Sequence, residues 1–210
     1  MTSPKGASPI VSNKPSARLP LVLASESPRR LALLAQAGIV PAAVRGASLD
    51  ETPKKQEVPR EYAIRLAKAK AEAVRASWQN GSALFLAADT VVACGRRILP
   101  KAENEAQVRA CLSLLSGRRH QVMTAIAVAL PDGPVRHRLV MTRVQFARLS
   151  EAEIEAYCAT REGEGKAGGY AIQGRAESFV RAINGSYSNV VGLPLSETLA
   201  LLRGCGLANL

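Results

Sequence analysis

The sequence predicts an α/β fold built on a mixed twisted sheet with flanking helices. Three features carry that expectation. Helix-period segments alternate with short apolar runs; the run ALFLAADTVVAC (83–94) is continuous and apolar, as in a central strand buried on both faces; and the period changes to two from Gln121 onward. The chain is 210 residues long, enough to bury a core without disulfides or a structural metal. A Ser-, Pro- and Lys-rich stretch over residues 1–18 reads as a disordered tail, and residues 19–210 as the folded region.

Taken in order, LPLVLAS (19–25) reads as a short buried strand, and SPRRLALLAQAG as a helix with Ser27 as N-cap, Pro28 in the first helical position and Gly38 closing it. A polar link, RGASLDETPKKQE, leads to a second helix starting near Pro59. After the central run, GRRILPKAENE turns into a third helix whose Val108, Cys111, Leu112 and Leu115 share one stripe. Val122, Thr124, Ile126, Val128 and Leu130 then alternate with their neighbours, PDGP turns, and residues 135–148 return as a hairpin with a half-buried face. Ser150 and Glu153 form a capping box, GKAGGYAIQG reads as a strand-like stretch, and a last helix starts near Leu195.

Composition narrows the function classes. Lys plus Arg number 28 against 17 Asp plus Glu, a formal charge of +11 that favours anionic partners. With three Phe, four Tyr and one Trp there are few rings to stack on bases, which disfavours nucleic acid as the partner. No run approaches the ~18 apolar residues of a membrane helix. The cysteines, Cys94, Cys111, Cys158 and Cys205, are widely spaced without a C-x-x-C pair. They read as reduced buried thiols, and residues 1–18 lack the apolar core of a secretory signal, so a cytoplasmic location is expected.

Several residues do not fit a purely structural reading. Arg29 and Arg30 add positive charge to the positive end of a helix, unfavourable by up to about 1 kcal/mol each unless they point into water or an anion sits there. Asp89 lies inside an apolar strand, where an unpaired carboxylate costs several kcal/mol, so it is either paired or part of a site. Helical spacing puts Lys70 on an apolar stripe with Leu66, Ala73 and Val74 while Lys68 points away; Lys70 either snorkels or serves a site. Lys101 follows Pro100 before an acidic helix start and by default belongs to the surface. Gln173 stands in a strand-like run where a buried amide needs partners. Glu51, beside Asp50, offers a carboxylate pair for a divalent ion, or a solvated loop. His120 and His137 are too few for a histidine metal site and read as structural.

Together, LASESPRRLALLAQAGI, DET (50–52), RLAKAKA, AADTVV, GRRILPK, LSGRRHQVMTAI, KAGGYAIQG and GSYSNVVGLPLSET resemble the Maf-like nucleoside triphosphate pyrophosphatases, over about residues 20–203. The resemblance implies two lobes around a deep cleft, usually a dimer, and metal-dependent hydrolysis of nucleoside triphosphates to the monophosphate and pyrophosphate. It implies Mg²⁺ or Mn²⁺ as cofactor, and places motif residues at Ser25, Arg29, Arg30, Glu51, Lys70, Asp89, Lys101 and Gln173. The family pattern after the ADT strand ends in Lys-Pro, whereas Pro100 here precedes Lys101. Arg29, where the 7-methyl-GTP branch carries Trp, together with Thr90 and Gln173, matches the dTTP/UTP branch. The expected roles are Asp89, Lys70 and Lys101 in catalysis, with Asp89 either the general base or a metal ligand, Glu51 as the second metal ligand, and Ser25, Arg29, Arg30, Thr90 and Gln173 on the substrate. The competing classes are a modified-nucleotide pyrophosphatase, a nucleotide sensor without turnover, and a basic nucleic-acid-binding or division-regulating protein.

Overall fold

Leu21–Leu23 form β1, buried along its whole length, and Pro28–Gln36 follow as α1. The computed structural model describes residues 19–207; the expected tail over residues 1–18 lies outside the described residues. In chain order come β2 (Ala43–Val44), α2 (Pro59–Ser77), β3 (Leu84–Cys94), β4 (Arg97–Leu99), β5 (Lys101–Ala102), α3 (Glu105–Leu115), β6 (Arg119–Ala129) and β7 (Val135–Phe146). Then follow α4 (Glu151–Cys158), β8 (Lys166–Ala167), a 3-10 turn (Arg175–Phe179), β9 (Val180–Asn184), α5 (Tyr187–Val191) and α6 (Leu195–Gly204).

Seven strands form one mixed sheet in the order β2-β1-β3-β6-β7-β9, with β4 added to β3, while β5 and β8 pair separately. β1 runs parallel to β2 and β3; every other pairing is antiparallel. The expected mixed α/β architecture is what the chain adopts.

Residue alternation along β3 divides the core into two layers. Phe85, Ala87 and Val91 face α2, where they meet Ala63, Ala67, Ala71 and Val74. Small side chains on both surfaces let that helix lie close across β3 and β6. Leu84, Leu86, Ala88 and Val92 face the other way, into the larger core with Leu34, Leu112, Leu115 and Leu202. β6 is covered by both layers. Met123, Ala125, Ala127 and Ala129 are therefore buried together with Val122, Ile126 and Val128, which corrects the expected half-buried hairpin face. The alternation was real, but α2 covers the side that was expected to be wet.

Local signals at helix ends come out unevenly. The capping box at Ser150 and Glu153 is complete, and Gly38 takes a left-handed φ of 74° after α1. Ser27 occupies the N-cap of α1 but makes no side-chain cap bond; its own N–H donates to Ser25 Oγ at 3.3 Å. On α2 the buried stripe is Ala63, Leu66, Ala67, Lys70, Ala71 and Val74, with Ala73 at its margin rather than within it. GKAGGYAIQG is mostly turns, not a strand. Only Lys166 and Ala167 pair, and Gln173 is exposed, so the expectation of a buried amide is wrong.

Candidate active site

The cleft begins at a gap in the sheet. β1 covers one edge of β3 as far as Leu86, whose carbonyl accepts from Ala24 N–H at 2.7 Å, and β4 covers the same edge again from Val92. Between these partners the edge is open, and Asp89 and Thr90 sit in the opening. Alternation then turns Asp89 toward α2 and Thr90 toward α1. A cleft of about 370 Å³ opens there, and Ser25, Arg29, Arg30, Glu51, Lys70, Asp89, Thr90, Lys101 and Gln173 all line it. The structure thus brings together every site residue expected from the sequence.

On the α2 side is a chain of alternating charge. Lys70 Nζ donates to Asp89 Oδ1 at 2.6 Å and lies 2.7 Å from Glu51 Oε1, while Lys101 Nζ donates to Glu51 Oε2 at 2.6 Å. Asp89 and Lys70 are only 4% and 8% exposed, so each supplies the countercharge that the other's burial requires. Burial works to raise the Glu51 carboxyl, but hydrogen bonds from Lys101 and Lys70 overcome it and hold the group at about 2. Glu51 stands on the polar link, which α2 fastens from below. Tyr62 Oη donates to the Glu51 carbonyl at 2.6 Å, and Arg65 donates to the Thr52 carbonyl at 3.1 Å and to the Glu57 carboxylate at 2.6 Å. Asp50 accepts from Thr52 N–H at 2.9 Å and, unlike Glu51, does not line the cleft.

On the α1 side, Arg30 is held by neutral oxygens. It donates to the Gly192 carbonyl at 2.9 Å, Ser25 Oγ at 3.0 Å and Thr90 Oγ1 at 3.3 Å. Thr90 is anchored in turn by Thr124, whose Oγ1 donates to the Asn189 carbonyl at 2.9 Å. Burial lowers the Arg30 guanidinium from its ordinary value; the Asp89 charge partly offsets that, and Arg29 adds to it. Arg29 is half-buried and reaches only the Val191 carbonyl, at 3.4 Å.

Thr124, Asn189, Gly192 and Lys166 were not singled out from the sequence. The first three support Arg30 and Thr90 from α5 and β6, elements far away in the chain, and carry no local signal. Lys166 sits in a motif already noted, but nothing in the spacing distinguished it from a surface lysine. His120 is structural as expected: buried, with Nε2 at 2.8 Å from Tyr170 Oη, and held by burial at about 4.

Among the described residues no three His, Cys, Asp or Glu side chains converge as a ready cation cage. Two carboxylates, Asp89 and Glu51, share Lys70 at the cleft wall. That donor set fits Mg²⁺ in the mode where one or two carboxylates hold the ion and substrate phosphates complete its shell.

The Maf-like protein family model matches residues 20–205. A Paramagnetospirillum magneticum protein named dTTP/UTP pyrophosphatase is 60% identical over 188 residues, 90% of this chain and 98% of that protein. A Novosphingobium aromaticivorans protein of the same name is 56% identical over 201 residues, 96% of each chain. Among solved structures, a HAM1 protein from Coxiella burnetii overlaps 62% of this chain and 74% of its own at 19% identity and a TM-score of 0.42. With its motif residues gathered in one cleft and nearly its whole length matched, the chain belongs to the Maf-like family.

Proposed function

We propose that this protein hydrolyses dTTP and UTP to the monophosphate and pyrophosphate with the help of a divalent cation. The observation that carries the reading is the buried Asp89–Lys70 pair at the gap in the sheet, facing a cleft also lined by Arg29, Arg30, Lys101 and Lys166. The names of the relatives supply the pyrimidine triphosphates as substrates.

A triphosphate carries roughly four negative charges near neutral pH, and Arg29, Arg30, Lys70 and Lys101 converge where it would lie. Phosphoryl chemistry needs positioning and charge stabilisation above all, and fixed cations on rigid elements supply both. As phosphate oxygens draw Lys70 and Lys101 away from the carboxylates, Asp89 loses a hydrogen-bond donor and can accept the proton of the water attacking the α-phosphorus. Arg30, pre-set by its carbonyl and hydroxyl partners, orients the polyphosphate without having to reorganise. Asp89 and Glu51 would hold Mg²⁺ or Mn²⁺, which when bound supplies further charge neutralisation and lowers the pKa of a bound water. Gln173, which is exposed, and Thr90 line the same cleft and would hydrogen-bond base or sugar.

The same reading includes a homodimer working in the cytoplasm, supported by the family resemblance and by cysteines that are all free. Among the described residues no helix is long and apolar enough to cross a membrane.

The test is a panel of nucleoside triphosphates with Mg²⁺ or Mn²⁺, scored for pyrophosphate against phosphate. Pyrophosphate from dTTP and UTP is expected, and Asp89→Asn should stay folded but lose at least about 100-fold in turnover. Phosphate release, preference for 7-methyl-GTP, or tight salt-dependent RNA binding without turnover would each overturn the reading.

A further inference from the structure

The cleft's cations are not equivalent. Lys70 and Lys101 already face carboxylates, and Arg30 gives three of its five N–H donors to neutral oxygens. Among the described residues Arg29 and Lys166, like Arg30, lie within salt-bridge distance of no carboxylate, and unlike Arg30 each donates to a single backbone carbonyl only. Lys166 donates only to the backbone carbonyl of Glu164, at 3.0 Å. The Glu164 side chain, its nearest acid in sequence, is turned to Arg161 at 3.0 and 2.9 Å.

Lys166 is also held in place. It belongs to β8, whose pairing with β5 sets it opposite Ala102, one residue from Lys101. Gly165 N–H donates to the Ala102 carbonyl at 2.7 Å and Gly168 N–H to the Pro100 carbonyl at 3.1 Å, which pins β8 at both ends. Gly168 has a φ of 72°, and a Cβ there would come within 2.9 Å of Val92 Cγ1 on β3. The backbone of the lysine is therefore fixed beside a tight, glycine-dependent turn, and the residue is half-buried.

From α1 on one wall and β8 on the other, two uncompensated cations thus face one cleft. Burial lowers both from their ordinary values, and the charge of Arg29 works further against protonated Lys166. Like charges converging in a half-buried site are unfavourable alone and favourable around an anion.

Resting on the nucleotide-hydrolase reading, we infer that Lys166 is a further substrate-binding residue, forming with Arg29 a pincer for the part of the polyphosphate that the Asp89–Lys70–Glu51–Lys101 wall does not engage. Its contribution is to binding, not to the chemical step. Substrate and inorganic polyphosphate should feel it alike, whatever the base.

The experiment compares Lys166→Ala, Lys166→Gln and Lys166→Arg with the unaltered protein. It measures KM and kcat for UTP and dTTP, the dissociation constant of inorganic tripolyphosphate by calorimetry, and the melting temperature. Loss of one charge-assisted contact predicts that Lys166→Ala and Lys166→Gln raise KM by about tenfold and weaken tripolyphosphate by a similar factor, with kcat within about twofold. Lys166→Arg should recover most of both. Unchanged KM and tripolyphosphate binding in a folded variant would overturn the inference. So would an altered preference among pyrimidines with tripolyphosphate binding intact, which would make Lys166 a reader of the base. Tripolyphosphate binding needs no turnover, so this arm still decides the matter if the protein hydrolyses no nucleotide.

Discussion

Asp89 and Lys70 were legible one residue at a time because each broke the pattern of its own element: an acid in an apolar strand, a lysine on an apolar stripe. The structure joins the two anomalies at 2.6 Å. Removing one partner from a buried pair strands the other, so Lys70→Ala should cost about 3 kcal/mol in chemical denaturation. Lys70→Met combined with Asp89→Leu should recover most of that stability while abolishing hydrolysis. Gln173 was expected to be buried and is exposed, because a glycine-rich run that alternates on paper folds into successive turns. Its replacement by Ala should leave the melting temperature unchanged and act only on KM. Arg29, where the resemblance separates branches, is held by one long contact. Arg29→Trp should therefore keep the fold and lower kcat/KM for UTP and dTTP by at least about tenfold, as loss of one charged contact implies.

Long elements could be read from their periodicity; of the shortest strands only β1, a continuous apolar run, could. α2, β3, α3, β6 and β7 carry enough residues for a period to emerge, and their expected positions hold. β2, β4, β5 and β8 span two or three residues each, and β9 and α5 five. These exist because the fold brings partners to them, and two of them, β5 and β8, which pair with each other, carry cleft lysines. The turn after β8 is the most constrained of these links. Gly168→Ala must oppose a positive φ and displace Val92, so a loss of about 2 kcal/mol is expected, with Lys166 and Gln173 disturbed together. β6 contributes a pH-sensitive group. His120 is held at about 4 by burial, below its unfolded value, so the unfolded chain takes up its proton first as the pH falls. Stability from this residue is complete above about 6.5 and is lost progressively toward 4. His120→Phe should flatten the melting temperature across that window.

Across the whole molecule, a formal charge of +11 favoured an anionic partner without saying where one would bind. The location is a matter of topology: β1 stops at Leu23, antiparallel β4 ends at Leu99 opposite Val92, and the edge of β3 left uncovered between their pairings opens onto the cleft. Nothing local in the sequence announces where a neighbouring strand will end. Because the attraction is electrostatic, raising salt from about 0.05 to 0.2 M should raise KM for UTP several-fold and leave kcat nearly unchanged. Glu51 gives the cleft an acid limit. Its carboxyl is held at about 2 against a usual value of 4.5, so its contribution is present above about 4.5 and fades as the pH falls toward 2. The Asp89–Lys70–Glu51–Lys101 chain also bears on how a catalytic cycle ends. Pyrophosphate, a strong polyanion, would be slow to leave a set of bare lysines. Here the two carboxylates wait beside those lysines as tethered competitors at high effective concentration, ready to re-pair as each phosphate oxygen lets go. On the proposed reading the resting ion pairs would act as an internal eluent, with turnover set by how fast the enzyme reclaims its own counterions.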